Sequence, residues 1–177
     1  MTRDQLARAI YQRSLLRGEF TLRSGAKSDR YFDKYLFESD PELLAEIAQA
    51  LARLVPEDTE MLAGLELGGV PLAVMVGQLT GLPVVFVRKE AKPYGTMRLA
   101  EGGDIAGRKL LVVEDVVTSG GQVVASTNDL RERGAVVDSA VCVIDREAGG
   151  GEALAEAGVA LAALYTMTDL ERAAGLA

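Results

Sequence analysis

The chain reads as an α/β domain built on a parallel sheet of about five strands flanked by helices, and three observations carry that reading. Short, near-continuous apolar runs alternate with helix-patterned stretches through most of the sequence. Such runs belong to parallel sheets covered on both faces, whereas a sheet with one wet face alternates apolar with polar residues. The length, 177 residues with 49% apolar and 25% charged side chains, suits one domain able to bury roughly two-thirds of its unfolded surface. No internal repeat, low-complexity tract or Pro/Ser-rich linker divides it.

In chain order, Thr2 to Arg17 carries Leu6, Ala9, Ile10, Leu15 and Leu16 at helical spacing and stops at Gly18. Glu19 to Phe37 interleaves Phe20, Tyr31, Phe32, Tyr35 and Phe37 with Arg23, Lys27, Arg30 and Lys34. Asp40 caps the next helix, Pro41 occupies its first position, and Leu43, Leu44, Ile47, Leu51 and Leu54 make its buried stripe. Strands follow at Met61–Leu67, Pro83–Val87, Lys109–Val113, Val136–Ile144 and Val159–Tyr165, with helices at Val70–Leu79, Gly121–Arg133 and Glu152–Ala157. Ligands of such sheets bind beyond the carboxyl ends of the strands.

Composition narrows the chemistry. Without histidine there is no Ser-His-Asp or Cys-His nucleophile, no imidazole base and no His-built zinc site. The single Cys142 allows no intrachain disulfide, Cys-x-x-Cys pair or iron–sulfur cluster, and it fits a reducing, cytoplasmic setting. Leu67 to Val87 is uncharged, but Gly68, Gly69, Pro71, Gly77, Gly81 and Pro83 make it a buried helix, turn and strand rather than a membrane span. The net charge of −7 argues against a nucleic-acid partner, which needs a basic footprint. Carboxylates, Lys, Arg, Tyr, hydroxyls and backbone amides remain, a palette suited to phosphates.

The sharpest local signal runs from Leu110 to Gln122. A buried strand ends in Glu114 and Asp115, then passes through Val116, Val117, Thr118, Ser119, Gly120 and Gly121 into a helix. Unpaired amides at a helix N-terminus favour an anion such as phosphate, the glycines allow close approach, and the two hydroxyls add donors. Two carboxylates beside a phosphate would repel it unless they engage a ribose diol or a metal held by the substrate. Neither a P-loop nor a dinucleotide-binding Gly-x-Gly-x-x-Gly occurs after a strand. The second signal is Arg88 to Gly103, with four cations and one anion between Arg88 and Arg98 in an otherwise acidic protein. It has no helical or strand period, and reads as a mobile loop able to close over a polyanion.

The Leu110–Gln122 run resembles the signature for 5-phosphoribosyl 1-diphosphate (PRPP) in the type I phosphoribosyltransferases. The resemblance implies that family's fold, with Glu114 and Asp115 on the ribose hydroxyls and Val117 to Gln122 around the 5-phosphate. Arg88-Lys-Glu-Ala-Lys-Pro-Tyr-Gly95 and Phe20-Thr-Leu-Arg-Ser-Gly25, with the Tyr31-Phe32 pair after it, resemble the orotate-specific members. By that resemblance Arg88 contacts PRPP in its own subunit, while Lys89, Lys92 and Tyr94 act on pyrophosphate in the neighbouring subunit. Arg23, Tyr31 and Phe32 face the orotate ring, and Arg146 binds orotate opposite Thr118. Lys89, Glu114 and Asp115 are the implied catalytic residues.

The same resemblance implies a hood at about 1–38, a core at about 39–177, a mobile loop at about 89–103, a homodimer and Mg²⁺ carried on PRPP. Two departures stand out: Tyr94 where many members have His, and Gly68 where many have Lys. The phosphate cradle alone also suits a transferase for another base or a non-catalytic PRPP-binding regulator. Arg23 and Arg146 speak against the first, and the acidic charge against the second.

Overall fold

The computed structural model describes residues 1–21, 25–89 and 99–176. Seven helices and eight strands follow in order among them: α1 (Arg3–Ser14), β1 (Leu15–Thr21), β2 (Lys27–Phe32), α2 (Tyr35–Glu38), α3 (Pro41–Ala52), β3 (Met61–Leu65), α4 (Glu66–Thr80) and β4 (Val84–Val87). Then come β5 (Ala100–Glu101), β6 (Lys109–Val117), α5 (Gly121–Glu132), β7 (Val136–Asp145), α6 (Gly150–Glu156), β8 (Ala160–Thr166) and α7 (Met167–Ala173).

The central sheet has the order β5-β4-β3-β6-β7-β8. All its pairings are parallel except β4–β5. Five parallel strands answer to the five expected; the sixth is a two-residue antiparallel edge inside the segment read as a loop. Alternation splits the sheet's side chains between two cores. Leu111, Val113, Val141 and Val143 pack with Ile10, Ile47, Leu51, Leu72 and Val76 on one face. Leu110, Val112, Ala140 and Cys142 pack with Val123, Leu130 and Leu154 on the other. Full burial of each large aliphatic side chain contributes about 1.5–3 kcal/mol.

Caps set the helix starts. Thr2 accepts from the Gln5 amide while the Gln5 side chain accepts from the Thr2 amide, and Asp40 accepts from the amides of Glu42 and Leu43. Helix α1 ends at Ser14 rather than Arg17 because Leu15, Leu16 and Arg17 pair antiparallel with Phe32, Tyr31 and Arg30. The final helix α7, absent from the sequence reading, begins with the reciprocal cap of Thr166 and Asp169. It returns to α1, where Arg8 donates to the Ala173 carbonyl at 2.7 Å.

The chain steps from β3 to β4 on one side and then to β6 on the other, so the sheet's switch point lies between β3 and β6. There β3 pairs with β6 only as far as Gly64 opposite Val113. Beyond that point β6 continues alone with β7, Glu114 opposite Cys142 and Val117 opposite Asp145. The strand read as ending at Val113 therefore extends to Val117, because ladder hydrogen bonds continue where the apolar run does not. Likewise β3 ends at Leu65, not Leu67, and Glu66 turns the chain at φ 52° into α4. That left-handed backbone is uncommon outside glycine and clusters at functional sites.

Candidate active site

Glu114 and Asp115 lie inside β6, buried, and not at an open rim. They fill the notch left where β3 turns away. Helix α4 approaches this notch closely: a Cβ on Gly69 would lie 2.2 Å from the Val113 carbonyl oxygen, and one on Gly68 would lie 1.9 Å from Asp115 Oδ2. Two glycines are needed there because the space belongs to a strand backbone and a carboxylate.

Asp115 is fully buried. Its Oδ1 accepts from the Val116 amide at 2.5 Å, and Lys34 Nζ, just before α2, lies 2.5 Å from its Oδ2. Glu38, at the end of α2, is also buried, and neither of its carboxyl oxygens has a donor from the described residues. Burial pushes Glu38 up to about 9, reinforced by a hydrogen bond to Asp115 and repulsion from it. Burial, with the same neighbour, holds Glu114 well above the usual range. Burial pushes Asp115 up as well, but hydrogen bonds from Glu114 and Glu38 and the Lys34 ammonium outweigh it, so Asp115 titrates low. The surroundings thus favour the charged form of Asp115, beside a lysine, and the neutral forms of the two acids next to it. This removes the difficulty of two anions facing a phosphate.

Helix α5 starts two residues past Ser119. Gly120 holds φ 75° at its N-cap, Thr118, Ser119, Gly121 and Gln122 are exposed, and Val117 is buried within the strand. The loop is braced from behind, where a Cβ on Gly150 would meet Val117 Cγ1 at 2.4 Å and the Thr118 carbonyl oxygen at 2.6 Å. Exposed amides and hydroxyls at a helix start form an anion cradle, with one carboxylate next to it. Arg146 follows β7 directly, is exposed, and its amide donates to the Val117 carbonyl at 2.9 Å. It therefore stands beside Thr118.

Arg88 and Lys89 are exposed at the end of β4. The Arg88 amide donates to the Leu99 carbonyl at 3.0 Å, which brings the two ends of the intervening segment together over the β4–β5 ladder. The Lys89 amide bonds the Glu66 carboxylate, tying this stem to the start of α4. Lys92, Tyr94 and Arg23 lie outside the described residues. Tyr31 and Phe32 are consecutive on β2, so their rings take opposite faces. Tyr31 is exposed, with its ring 5.6 Å from that of Phe20, while Phe32 lies 6.2 Å from Tyr11 on the core side.

The sequence reading passed over Lys34 and Glu38 as site members. Their i, i+4 spacing beside an aromatic stretch was visible, but nothing local says that they face β6. The cluster is well placed for a sugar phosphate: amides for the phosphate, one carboxylate for hydroxyls, and cations at the adjoining loop base.

The chain belongs to the phosphoribosyltransferase family, for the model of the phosphoribosyl transferase domain matches residues 37–159. Within that family it stands among the orotate phosphoribosyltransferases. The enzyme of that name from Nocardioides sp. is 52% identical over 158 residues, spanning 89% of this chain and 88% of that protein. The crystal structure of the Aeropyrum pernix orotate phosphoribosyltransferase superposes with a TM-score of 0.84 at 32% identity, covering 97% of this chain and 99% of that one. A Mycobacterium tuberculosis orotate phosphoribosyltransferase crystallised with PRPP gives 0.82 at 27% identity, covering 95% and 98%.

Proposed function

We infer that the chain transfers the 5-phosphoribosyl group of PRPP to orotate, giving orotidine 5-phosphate and pyrophosphate. The observation that carries this reading is the pairing, at one switch point, of an anion cradle with the buried carboxyls of Glu114 and Asp115, in a chain 52% identical to an orotate phosphoribosyltransferase.

In this reading the amides and hydroxyls from Thr118 to Gln122 hold the 5-phosphate. Asp115, with Glu114 beside it, receives the ribose hydroxyls. The bond from C1 to pyrophosphate breaks as a ring nitrogen of orotate bonds C1, and the proton of that nitrogen passes to the departing pyrophosphate. Positive charge develops on the ribose, which Asp115 stabilises, while Arg88, Lys89 and Lys92 stabilise the departing anion. A Mg²⁺ ion carried by PRPP would supply further charge stabilisation to the departing pyrophosphate. Among the described residues no group of three or more His, Cys, Asp or Glu side chains is set to hold an ion of its own. Arg146 and Arg23 pair with the orotate carboxylate, and Tyr31 offers its exposed face to the ring.

A homodimer fits the same reading. Leu67, Val74 and Phe86 are exposed at 70%, 36% and 41% along α4 and β4, next to the stem of the cationic segment 89–103. Apolar exposure there suits a second copy, whose site that segment would complete. The reading also puts the enzyme in the cytoplasm; no helix of the described residues is long and apolar enough to cross a membrane.

The test is turnover with PRPP and Mg²⁺ across orotate, uracil, adenine, guanine and hypoxanthine, following loss of orotate absorbance and release of pyrophosphate. Orotate is expected to be consumed at the highest kcat/KM. Preference for a purine, or PRPP binding without turnover of any base, would overturn the assignment.

A further inference from the structure

Asp115 is fully buried, yet it is the carboxylate of the cluster that titrates low. A buried carboxylate keeps its charge only beside a cation or strong donors. Among the described residues the cation in contact with it is Lys34, whose Nζ lies 2.5 Å from Oδ2 and whose side chain is 34% exposed. Lys34 comes from a different part of the chain, directly after β2, and its ammonium also lies 5.2 Å from the centre of the Tyr35 ring. The carboxylate it holds fills the space where residue 68 has no side chain, since any Cβ there would overlap Oδ2 at 1.9 Å. Lys34 and Gly68 thus bound the same carboxylate from two sides.

We propose that Lys34 is a positioning residue of the phosphoribosyl transfer, holding the Asp115 carboxylate in the space that Gly68 leaves open so that it can receive the ribose hydroxyls. The proposal rests on the PRPP-dependent reading above. Each carboxylate oxygen accepts two hydrogen bonds. With Oδ1 on the Val116 amide and Oδ2 beside Lys34, the two remaining acceptor positions are those facing the Glu114 and Glu38 carboxyls, and a ribose hydroxyl would take the place of one of these. Lys34 acts through Asp115, and the substrate's phosphates are left to the cradle and the cationic segment.

The experiment compares Lys34→Met, Lys34→Arg, Gly68→Ala, Asp115→Asn and the Lys34→Met/Asp115→Asn double variant, with steady-state kinetics in both substrates and PRPP affinity by titration calorimetry. Lys34→Met is expected to lower kcat/KM for PRPP roughly 10- to 100-fold, the worth of a hydrogen bond to a charged group, with the KM for orotate within about twofold. Lys34→Arg should restore most of the loss, and Gly68→Ala should reproduce it by displacing the carboxylate from the other side. The double variant should be no worse than Asp115→Asn alone, because a residue acting through Asp115 has nothing left to position.

Wild-type kcat/KM in Lys34→Met, an additive loss in the double variant, or equal losses in both substrates without rescue by Arg would each overturn the proposal. If Lys34→Met does not fold, Gly68→Ala and Lys34→Arg decide it by the same split. If the wild type binds PRPP but turns over no orotate, the reaction assignment fails. The calorimetric PRPP affinities of the variants still test Lys34 in that event.

Discussion

Replacing Glu38 by Gln should stabilise the protein, and by more as the pH rises. Glu38 is 6% exposed, its carboxyl oxygens have no donor from the described residues, and it lies beside the ionised Asp115. Burial and that neighbour raise its pKa from 4.5 to about 9. The folded chain therefore holds a proton that the unfolded chain releases. Stability associated with this proton is fully present below the unfolded value and declines until the folded group itself ionises. Between these limits the decline approaches about 1.4 kcal/mol per pH unit, so at pH 7 the accumulated cost reaches about 3 kcal/mol.

Gln stays neutral in both states and still offers an N–H to Asp115, so the variant loses this cost. Urea unfolding followed by far-UV circular dichroism, which suits a chain without Trp, would measure both proteins at pH 5, 7 and 8.5. The two should nearly coincide at pH 5, with the variant ahead by about 2–3 kcal/mol at pH 7 and further ahead at 8.5. Parallel stability curves across that range would show that Glu38 does not hold the proton, and the account of a single ionised carboxylate would fall with it.

Other outcomes follow from the same geometry. If the proposed homodimer forms, Lys89→Ala and Asp115→Asn proteins should each keep only a small residual activity, and mixing them under conditions of subunit exchange should restore activity through hybrid sites; no recovery would refute action of that segment across an interface. Arg146→Ala, exposed beside Thr118, should raise the KM for orotate at least tenfold while changing that for PRPP little, the loss of a charge-assisted pair; equal losses would remove it from the base pocket. Gly150→Ala would place a Cβ 2.4 Å from Val117 Cγ1, and the overpacking should cost about 1–3 kcal/mol and weaken PRPP binding by shifting Thr118, both absent if the cradle is not braced there. Cys142 is fully buried, and burial drives its thiol pKa well up. An aromatic disulfide reagent should therefore modify it only on unfolding; rapid reaction in the native protein would contradict that burial.

The elements most open to sequence reading were those whose cause is local. Helix α3 announced itself through Asp40, Pro41 and a 3.6-residue stripe, and the parallel strands through apolar runs too continuous for a one-faced sheet. Helix α7 carried a local signal too, the Thr166–Asp169 cap, which went unread because its apolar stripe is short. The β1–β2 hairpin was obscured by its exposed, charged surface, Lys27, Asp29 and Arg30 on β2 among them, which erases the period-two pattern.

In the site, the cradle from Thr118 to Gln122 and its carboxylates were legible because one short stretch supplies the glycines, hydroxyls and acids together. The charge state of those acids was not. Lys34 and Glu38 are separated from Asp115 by about 80 residues, and only the turn of β3 into α4 beside the overhanging end of β6 brings them into contact. Sequence alone determined which groups were available: no histidine, one cysteine, a glycine-hydroxyl loop, a cationic segment and strands apolar enough to stack into a two-faced sheet. Tertiary structure decided which of the clustered carboxyls is favoured in its charged form, because a buried group's charge depends on its desolvation and on the cation and donors around it, and these are set by packing across the fold.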